Sequence, residues 1–357
     1  MKRILKIIGL LLAVLVVCFL ILLLVLTITE YRPADLETLK ITGDVDDAVQ
    51  KGQTLDVLCW NIGFGALGDN ADFFMDGGTM VKPSTKQRVQ ENLVAMADYI
   101  TSEDPDMILL QEVDEKSTHS YYIDEASFLA DQFRAAGNRY EYSMAYNYKT
   151  LFVPYPLPPI GREQAGQVTY SKYDLSEATR VALPCPFAYP IRLANLKRCL
   201  SVSRTKVDGT GRELVIVNLH LEAYDDGEGK AAQTKLLSDF LQKEAEAGNY
   251  VLAGGDFNQT FDTVDLSKYP LQREDLWKSG VIAATDFSDD FQILMDDRTP
   301  SCRSLDRAYD PNDPEFQYYV LDGFILSNNL KVESFETVDL GFENTDHNPL
   351  RLKVTLE

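Results

Sequence analysis

From Ile7 to Thr29 the chain carries no charge and is dominated by Leu, Val and Ile; beyond residue 53 it breaks into short apolar strings separated by polar or periodic stretches. The first stretch is long enough to cross a bilayer as one helix, for which about 20 apolar residues suffice. A cleaved leader has a shorter apolar region, about 7–15 residues, closed by small residues. Here the stretch runs into Thr27-Ile28-Thr29-Glu30-Tyr31-Arg32-Pro33, which predicts an uncleaved transmembrane anchor over residues 7–29. Lys2, Arg3 and Lys6 make residues 1–6 a basic N-terminus. The bias of such residues toward the cytoplasmic side places that end inside and the rest of the chain outside.

Residues 30–53 are polar and acidic and read as a stalk or connector. The remainder, 54–357, reads as one domain. Strand-like strings occur at 55–60, 107–110, 214–219, 250–253, 318–326 and 350–356. Between them, Val89, Leu93, Met96 and Ile100 recur at helical spacing and predict a helix over 86–101. Phe128, Leu129 and Phe133 predict another over 125–136, and Ala232, Leu236, Phe240 and Leu241 a third over 230–246. Strands alternating with helices point to an α/β layered fold. Residues 62–85, rich in Gly and Asp, read as a loop. The segment 139–161 holds five tyrosines and four prolines, a density of proline that works against a ladder or a helix. It is expected to be a long loop, packed on the domain, forming a lip over a functional cleft, or touching the membrane interface.

Charge narrows the partners. Setting aside Lys2, Arg3, Lys6 and Glu30 from 34 basic and 55 acidic residues leaves 31 and 54 in the exterior part, a net charge of −23. Affinity for nucleic acid comes largely from Lys and Arg neutralising phosphates, so such a surface disfavours a polynucleotide partner. The nearest basic cluster, Arg192, Lys197, Arg198 and Arg204, suits one phosphate or surface ion pairs. Cysteine spacing matches no zinc pattern; one disulfide among Cys185, Cys199 and Cys302 is compatible with an exterior location.

The chemistry-bearing residues stand where apolar strings end. Glu112 follows Ile108-Leu109-Leu110-Gln111, and an acid there is costly unless paired or bound to a cation. Magnesium favours oxygen ligands of this kind, with Asn61, after Cys59-Trp60, adding an amide oxygen. Asp256 and Asn258 follow Leu252-Ala253-Gly254-Gly255, where glycine admits close approach of a ligand; the same string also suits an Asx turn. His347, beside Asp346, has a better orienting partner in Asp322, which lies within an apolar string and would fix the ring tautomer. His220, in Asn218-Leu219-His220-Leu221-Glu222, supplies a second donor toward a phosphate. His119, in Ser117-Thr118-His119-Ser120, reads as a surface residue.

Taken in order, Trp60-Asn61, Gln111-Glu112-Val113-Asp114, Asn218-Leu219-His220-Leu221, Gly255-Asp256-Phe257-Asn258, Leu321-Asp322-Gly323-Phe324 and Thr345-Asp346-His347-Asn348-Pro349 resemble the endonuclease/exonuclease/phosphatase superfamily with the DNase I-like fold. The resemblance spans about residues 54–356. It implies a four-layer α/β/β/α sandwich and metal-dependent phosphoester hydrolysis by in-line attack of water, with Mg2+ as the cofactor and Mn2+ or Ca2+ as alternatives. It further implies that Glu112 and Asn61 hold the metal and that Asp256 orients or activates the nucleophile. Asn258 and His220 would contact phosphate, Asp322 would polarise His347, and Asp346 would lie close to metal or phosphate. Two stretches depart from the family: where relatives often carry Gly-x-Ala-Ile-Leu-Ser-Lys, this chain reads Gly166-Gln167-Val168-Thr169-Tyr170-Ser171-Lys172, and the Pro-rich stretch before it has no assigned counterpart. The anchor and the acidity favour a small or lipid-linked phosphoester as substrate. An anchored nuclease and a non-catalytic binding module on the same fold are the alternatives.

Overall fold

Two β-sheets lie face to face with helices on both outer surfaces in the computed structural model, which describes residues 1–225 and 227–357. The seven-stranded sheet runs in the order Leu330–Thr337, Leu350–Leu356, Thr54–Asn61, Met107–Asp114, Gly161–Ser171, Glu141–Val153, Ile41–Thr42. The second sheet runs Leu36–Thr38, Glu177–Ala182, Cys199–Asp208, Arg212–His220, Tyr250–Asp256, Asp322–Ser327, Phe291–Leu294, with Val49–Gln50 paired beside Cys199–Asp208.

The layering follows from strand alternation, which sends successive side chains to opposite faces. Leu55, Val57 and Cys59 of one strand and Leu109 of its neighbour face Leu214, Ile216, Leu252 and Phe324 across the sheet interface. The residues between them, Leu58, Trp60, Ile108 and Leu110, turn outward onto Val89, Leu93 and Met96 of the helix Lys86–Glu103 and Leu129 and Phe133 of the helix Glu125–Ala135. On the other side Val215, Val217, Val251 and Ala253 pack on Leu237 and Leu241 of the helix Glu228–Glu246. The expected four layers are therefore present. The first outer helix starts where the Thr85 side chain accepts from Arg88 N and ends at left-handed Asp104 before Pro105, as capping requires.

Three expectations need correction. Residues 139–161 are not a long loop: Glu141–Val153 and Gly161–Ser171 form a hairpin, paired from Glu141↔Ser171 to Val153↔Gly161. The prolines are confined to 154–159, beyond the ladder, and Ser143, Ala145 and Asn147 alternate inward between half-buried Tyr142, Met144, Tyr146 and Tyr148. Residues 30–53 are not a free stalk either, because their three short strands pair with Glu177–Ala182, Glu141–Val153 and Cys199–Asp208. The cysteines are all free thiols, with Cys59, Cys199 and Cys302 buried in separate surroundings. In addition, the string 318–326 is interrupted, giving Tyr318–Tyr319 and then Asp322–Ser327.

The N-terminal helix Lys2–Ile28 has a mean hydropathy of 3.5 over its most apolar window and is exposed along most of its length. Its C-terminal end is not free. Leu26 is buried against the domain, and Thr27 Oγ1 lies 3.3 Å from the Tyr189 hydroxyl.

Candidate active site

Three neighbouring strands of the second sheet deliver an imidazole and two carboxylates side by side. The parallel register sets His220 opposite Asp256, and the antiparallel register sets Asp256 opposite Asp322. Gly255 makes this packing feasible: a Cβ there would lie 1.9 Å from the Leu219 carbonyl oxygen. Past Asp256 the chain does not stay extended. Asn258 adopts φ 50°, its N–H donates to Asp256 Oδ1 at 2.8 Å, and its Nδ2 donates to the Leu221 carbonyl at 2.9 Å. The Asx turn is thus realised, and it fixes the Asp256 carboxylate.

The first sheet contributes from the facing edge. Asn61 ends its strand, and its partner Gln111 in Met107–Asp114 is the last residue of the parallel pairing. The ladder to Gly161–Ser171 then shifts register between Leu110 and Val113, and Glu112 takes φ 52°. Bulges of this kind re-aim a side chain; here the bulge turns Glu112 toward the second sheet. Asn61 Nδ2 donates to Glu112 Oε1 at 3.1 Å and to Asp256 Oδ2 at 3.0 Å, while its Oδ1 accepts from Gly63 N at 3.1 Å. In this orientation the amide bridges the two acids; to offer its oxygen to a cation it must turn over.

The His347 ring completes the site. Its Nδ1 lies 2.8 Å from Asp322 Oδ2, and its Nε2 lies 3.8 Å from Asp256 Oδ2 and 4.0 Å from Asp346 Oδ2. Trp60 Nε1 holds the His347 backbone carbonyl at 2.8 Å. His220 Nε2 lies 3.4 Å from Asp256 Oδ2 and 3.9 Å from Glu112 Oε1. All eight residues singled out in the sequence therefore gather at one end of the sandwich. Beneath them Gln111 Nε2 donates to Asn218 Oδ1 at 2.7 Å, and Asn218 Nδ2 bonds the Leu110 and Val168 carbonyls. This polar tie between the sheets holds the two strand ends in register.

The electrostatics divide the two imidazoles. Burial works against charge on His347, but the Asp322 carboxylate outweighs it and holds the ring's pKa well above the ordinary range. Burial, aided by Arg198 and His347, pushes His220 well below it. One ring is thus held protonated and the other neutral, the kind of division that opposed environments produce. Burial first, and Asp346 next, raise Glu112 to about 7; burial and then Asp322 raise Asp256 to about 6. Three carboxylates, Glu112, Asp256 and Asp346, thus crowd a pocket where their mutual charge is costly. That donor set fits a hard divalent cation, which takes oxygen ligands.

Two cavities meet at Glu112. A small one, about 100 Å3, is lined by Asp76, Asp256, Asn258, Asp346 and His347. A larger one, about 490 Å3, runs from Glu112 and His220 between Phe64, Phe73 and Tyr155 to Phe19, Leu22, Leu23 and Leu26 of the N-terminal helix. Its wall holds a residue that sequence reasoning misplaced. His119 is not on the surface: it is 7% exposed, stacks on Phe64 at 3.9 Å, and lies 2.8 Å from Asp114 Oδ2 and 3.3 Å from Glu163 Oε2. Nothing in its polar local string signals this, because the burial comes from residues distant in sequence. The basic cluster forms no groove. Arg204 pairs with Glu213 and Glu244, Arg192 and Lys197 lie near Glu30, and Arg198 is buried with Glu222 at 3.8 Å.

Residues 58–347 match the sequence profile of the endonuclease/exonuclease/phosphatase family. The chain belongs to that family. Its coarse activity is phosphoester hydrolysis, and its acid and histidine groups are of the kind that hold a divalent metal. No curated protein matches it by sequence. Among solved structures it is similar to an endonuclease/exonuclease/phosphatase from Beutenbergia cavernae, with 18% identity over 85% of this chain and 72% of that one and a TM-score of 0.58. It also resembles a family protein from Bacteroides vulgatus, with 16% identity, 85% and 100% coverage and a TM-score of 0.52. The human Nocturnin catalytic domain, solved with a bound sulfate, shows 17% identity, 89% and 97% coverage and a TM-score of 0.50. At these identities the likeness establishes the shared fold.

Proposed function

We propose that this family member is a membrane-anchored phosphoester hydrolase, a phosphodiesterase or phosphatase, working outside the cytoplasm on a phosphoester carried by a lipid. The observation that carries the reading is the larger cavity, whose apolar wall begins on the anchor helix and whose floor is Glu112 and His220. A helix of 27 residues spans about 40 Å against a hydrocarbon core of about 30 Å. Counting about 20 residues outward from Ile7 ends at Leu26, so Phe19 to Leu26 lie at the level of the outer leaflet. The cavity then opens where acyl chains are, and a lipid can enter with its phosphate toward the acids.

Glu112, joined by Asp346 and by Asn61 with its amide turned, would hold the cation, with Mg2+ first and Mn2+ or Ca2+ as alternatives. The cation supplies charge neutralisation at the phosphoryl oxygens. The Asp256 carboxylate, fixed by the Asn258 N–H, orients water and accepts its proton. His347, charged and held by Asp322 at Nδ1, presents an N–H at Nε2 to the phosphoryl or leaving oxygen. Asn258 spends one amide hydrogen on Leu221 and has the other for the phosphate, alongside His220.

The test uses the full chain reconstituted in vesicles, with phospholipid, a water-soluble aryl phosphate ester and duplex DNA as matched substrates. Magnesium-dependent, EDTA-sensitive release from lipid or ester is expected, with lipid preferred about tenfold or more. It should fall by about 10³-fold or more in Glu112→Gln and His347→Ala, the order expected when acid/base or charge-stabilising groups are removed. Preferential DNA cleavage would establish an anchored nuclease, and indifference to both substitutions a binding module.

A further inference from the structure

The Asp114, His119 and Glu163 side chains form a second cluster beside the catalytic acids, on the wall of the same cavity. We infer that these three side chains are a second cation site, built for a transition-series divalent ion such as Mn2+ or Zn2+. Their ligand atoms lie within 4.8 Å of one another, with Nε2 of His119 2.8 Å from Asp114 Oδ2 and 3.3 Å from Glu163 Oε2.

Two independent features point to a ligand. First, both ring nitrogens of His119 and all four carboxylate oxygens of Asp114 and Glu163 are buried without an aligned hydrogen bond. The close approach of His119 and Asp114 therefore lacks hydrogen-bond alignment, although buried polar groups are ordinarily paired. Ligand atoms aimed at a common point rather than at each other would show this pattern. Second, the two acids have no permanently cationic partner. The Asp114 and Glu163 side chains are 1% and 0% exposed. Among the described residues no Lys or Arg pairs with either, and the His119 ring is the one basic group that faces both. A divalent ion with neutral His119 brings the cluster to neutrality, which matters where an unpaired buried charge costs several kcal/mol.

The donor set selects the metal class. One imidazole with two carboxylates suits Mn2+, Fe2+ or Zn2+ better than Mg2+, which prefers oxygen alone. Three protein ligands leave at least one coordination position open, and all three residues line the cavity into which it would face. The site therefore faces the same cavity as Glu112 and His220.

The experiment is an ion count and does not depend on which phosphoester is hydrolysed. The full chain, solubilised in detergent and stripped with EDTA, is titrated with Mn2+ while free Mn2+ is followed by electron paramagnetic resonance. Two ions per chain are expected for the unsubstituted protein, one for Glu163→Gln and one for His119→Gln. Adding Glu112→Gln to either should remove the remaining ion, whose retention in the single variants shows that they are folded. A single ion in the unsubstituted protein, two ions in both single variants, or loss of both ions together in each would overturn the inference.

Discussion

Asp322 is 2% exposed, its Oδ2 accepts from Ser301 Oγ at 2.7 Å, and the same oxygen lies 2.8 Å from His347 Nδ1. Ser301 also accepts from the Leu321 and Asp322 N–H groups, so the carboxylate is held on two sides and its charge acts on one ring. Asp322→Asn retains the shape and removes the charge that keeps His347 protonated. The expected result is a fall in kcat of about 10²–10⁴-fold, the usual worth of a positioned acid or base, with an unchanged melting curve. A loss below about threefold would remove His347 from the proton-transferring role. At this scale the pairing is legible because Asp322 is an acid in an apolar string, where only a partner offsets desolvation. His119 is illegible for the opposite reason: its neighbours are Ser117, Thr118 and Ser120, and the Phe64 ring and Glu163 carboxylate that pack on it lie far away in the chain. The orientation of the Asn61 amide is set by Gly63 and two carboxylates, which no string of residues displays.

Strand order explains why the site sits where it does, since His220, Asp256 and Asp322 are brought abreast by two successive registers. Gly255 is the element-level constraint on that arrangement, with φ 154° and no room for a side chain against Leu219. Gly255→Ala should destabilise the detergent-solubilised protein by about 2–4 kcal/mol, combining backbone strain with overpacking, and should displace His220 from Asp256. An unchanged unfolding midpoint would show that the sheet absorbs the extra carbon. The central strands were legible because they are continuous apolar strings, and the outer helices because their periodicity is 3.6. The strand Cys199–Asp208 was not, for its Leu200 and Val202 face the helix layer while Ser201, Ser203 and Thr205 are buried toward the other sheet. Such a strand alternates only briefly before Arg204 and Lys206 replace the apolar positions, and polar residues occupy its interior face. The strand Glu141–Val153 is hidden similarly: four prolines beyond its end mask a ladder they do not enter.

On the scale of the molecule, charge and apolar surface are segregated. The part beyond the N-terminal helix is strongly acidic, yet Tyr155, Leu157, Tyr189 and Ile191 are 69%, 90%, 50% and 63% exposed. Of these, Tyr155 and Ile191 line the larger cavity with the anchor residues, and Tyr189 touches Thr27 of the helix. Scattered apolar residues on a soluble surface need no explanation, but a set grouped around the apolar N-terminal helix at a cavity mouth does. Tyrosine and aliphatic side chains there match the interfacial zone of a bilayer. In the proposed anchored enzyme the helix would already keep the domain at the membrane, and these residues would set not binding but how often the cavity mouth dips into the leaflet. Inserting each aliphatic side chain contributes at most about 1.5–3 kcal/mol, and partial insertion of two is enough to shift that equilibrium about tenfold. The double variant Leu157→Asp, Ile191→Asp should therefore cleave lipid in vesicles about tenfold more slowly while hydrolysing a water-soluble aryl phosphate at the unsubstituted rate. Equal slowing on both substrates would place the effect in the catalytic groups, and no slowing on either would mean that the substrate reaches Glu112 from water.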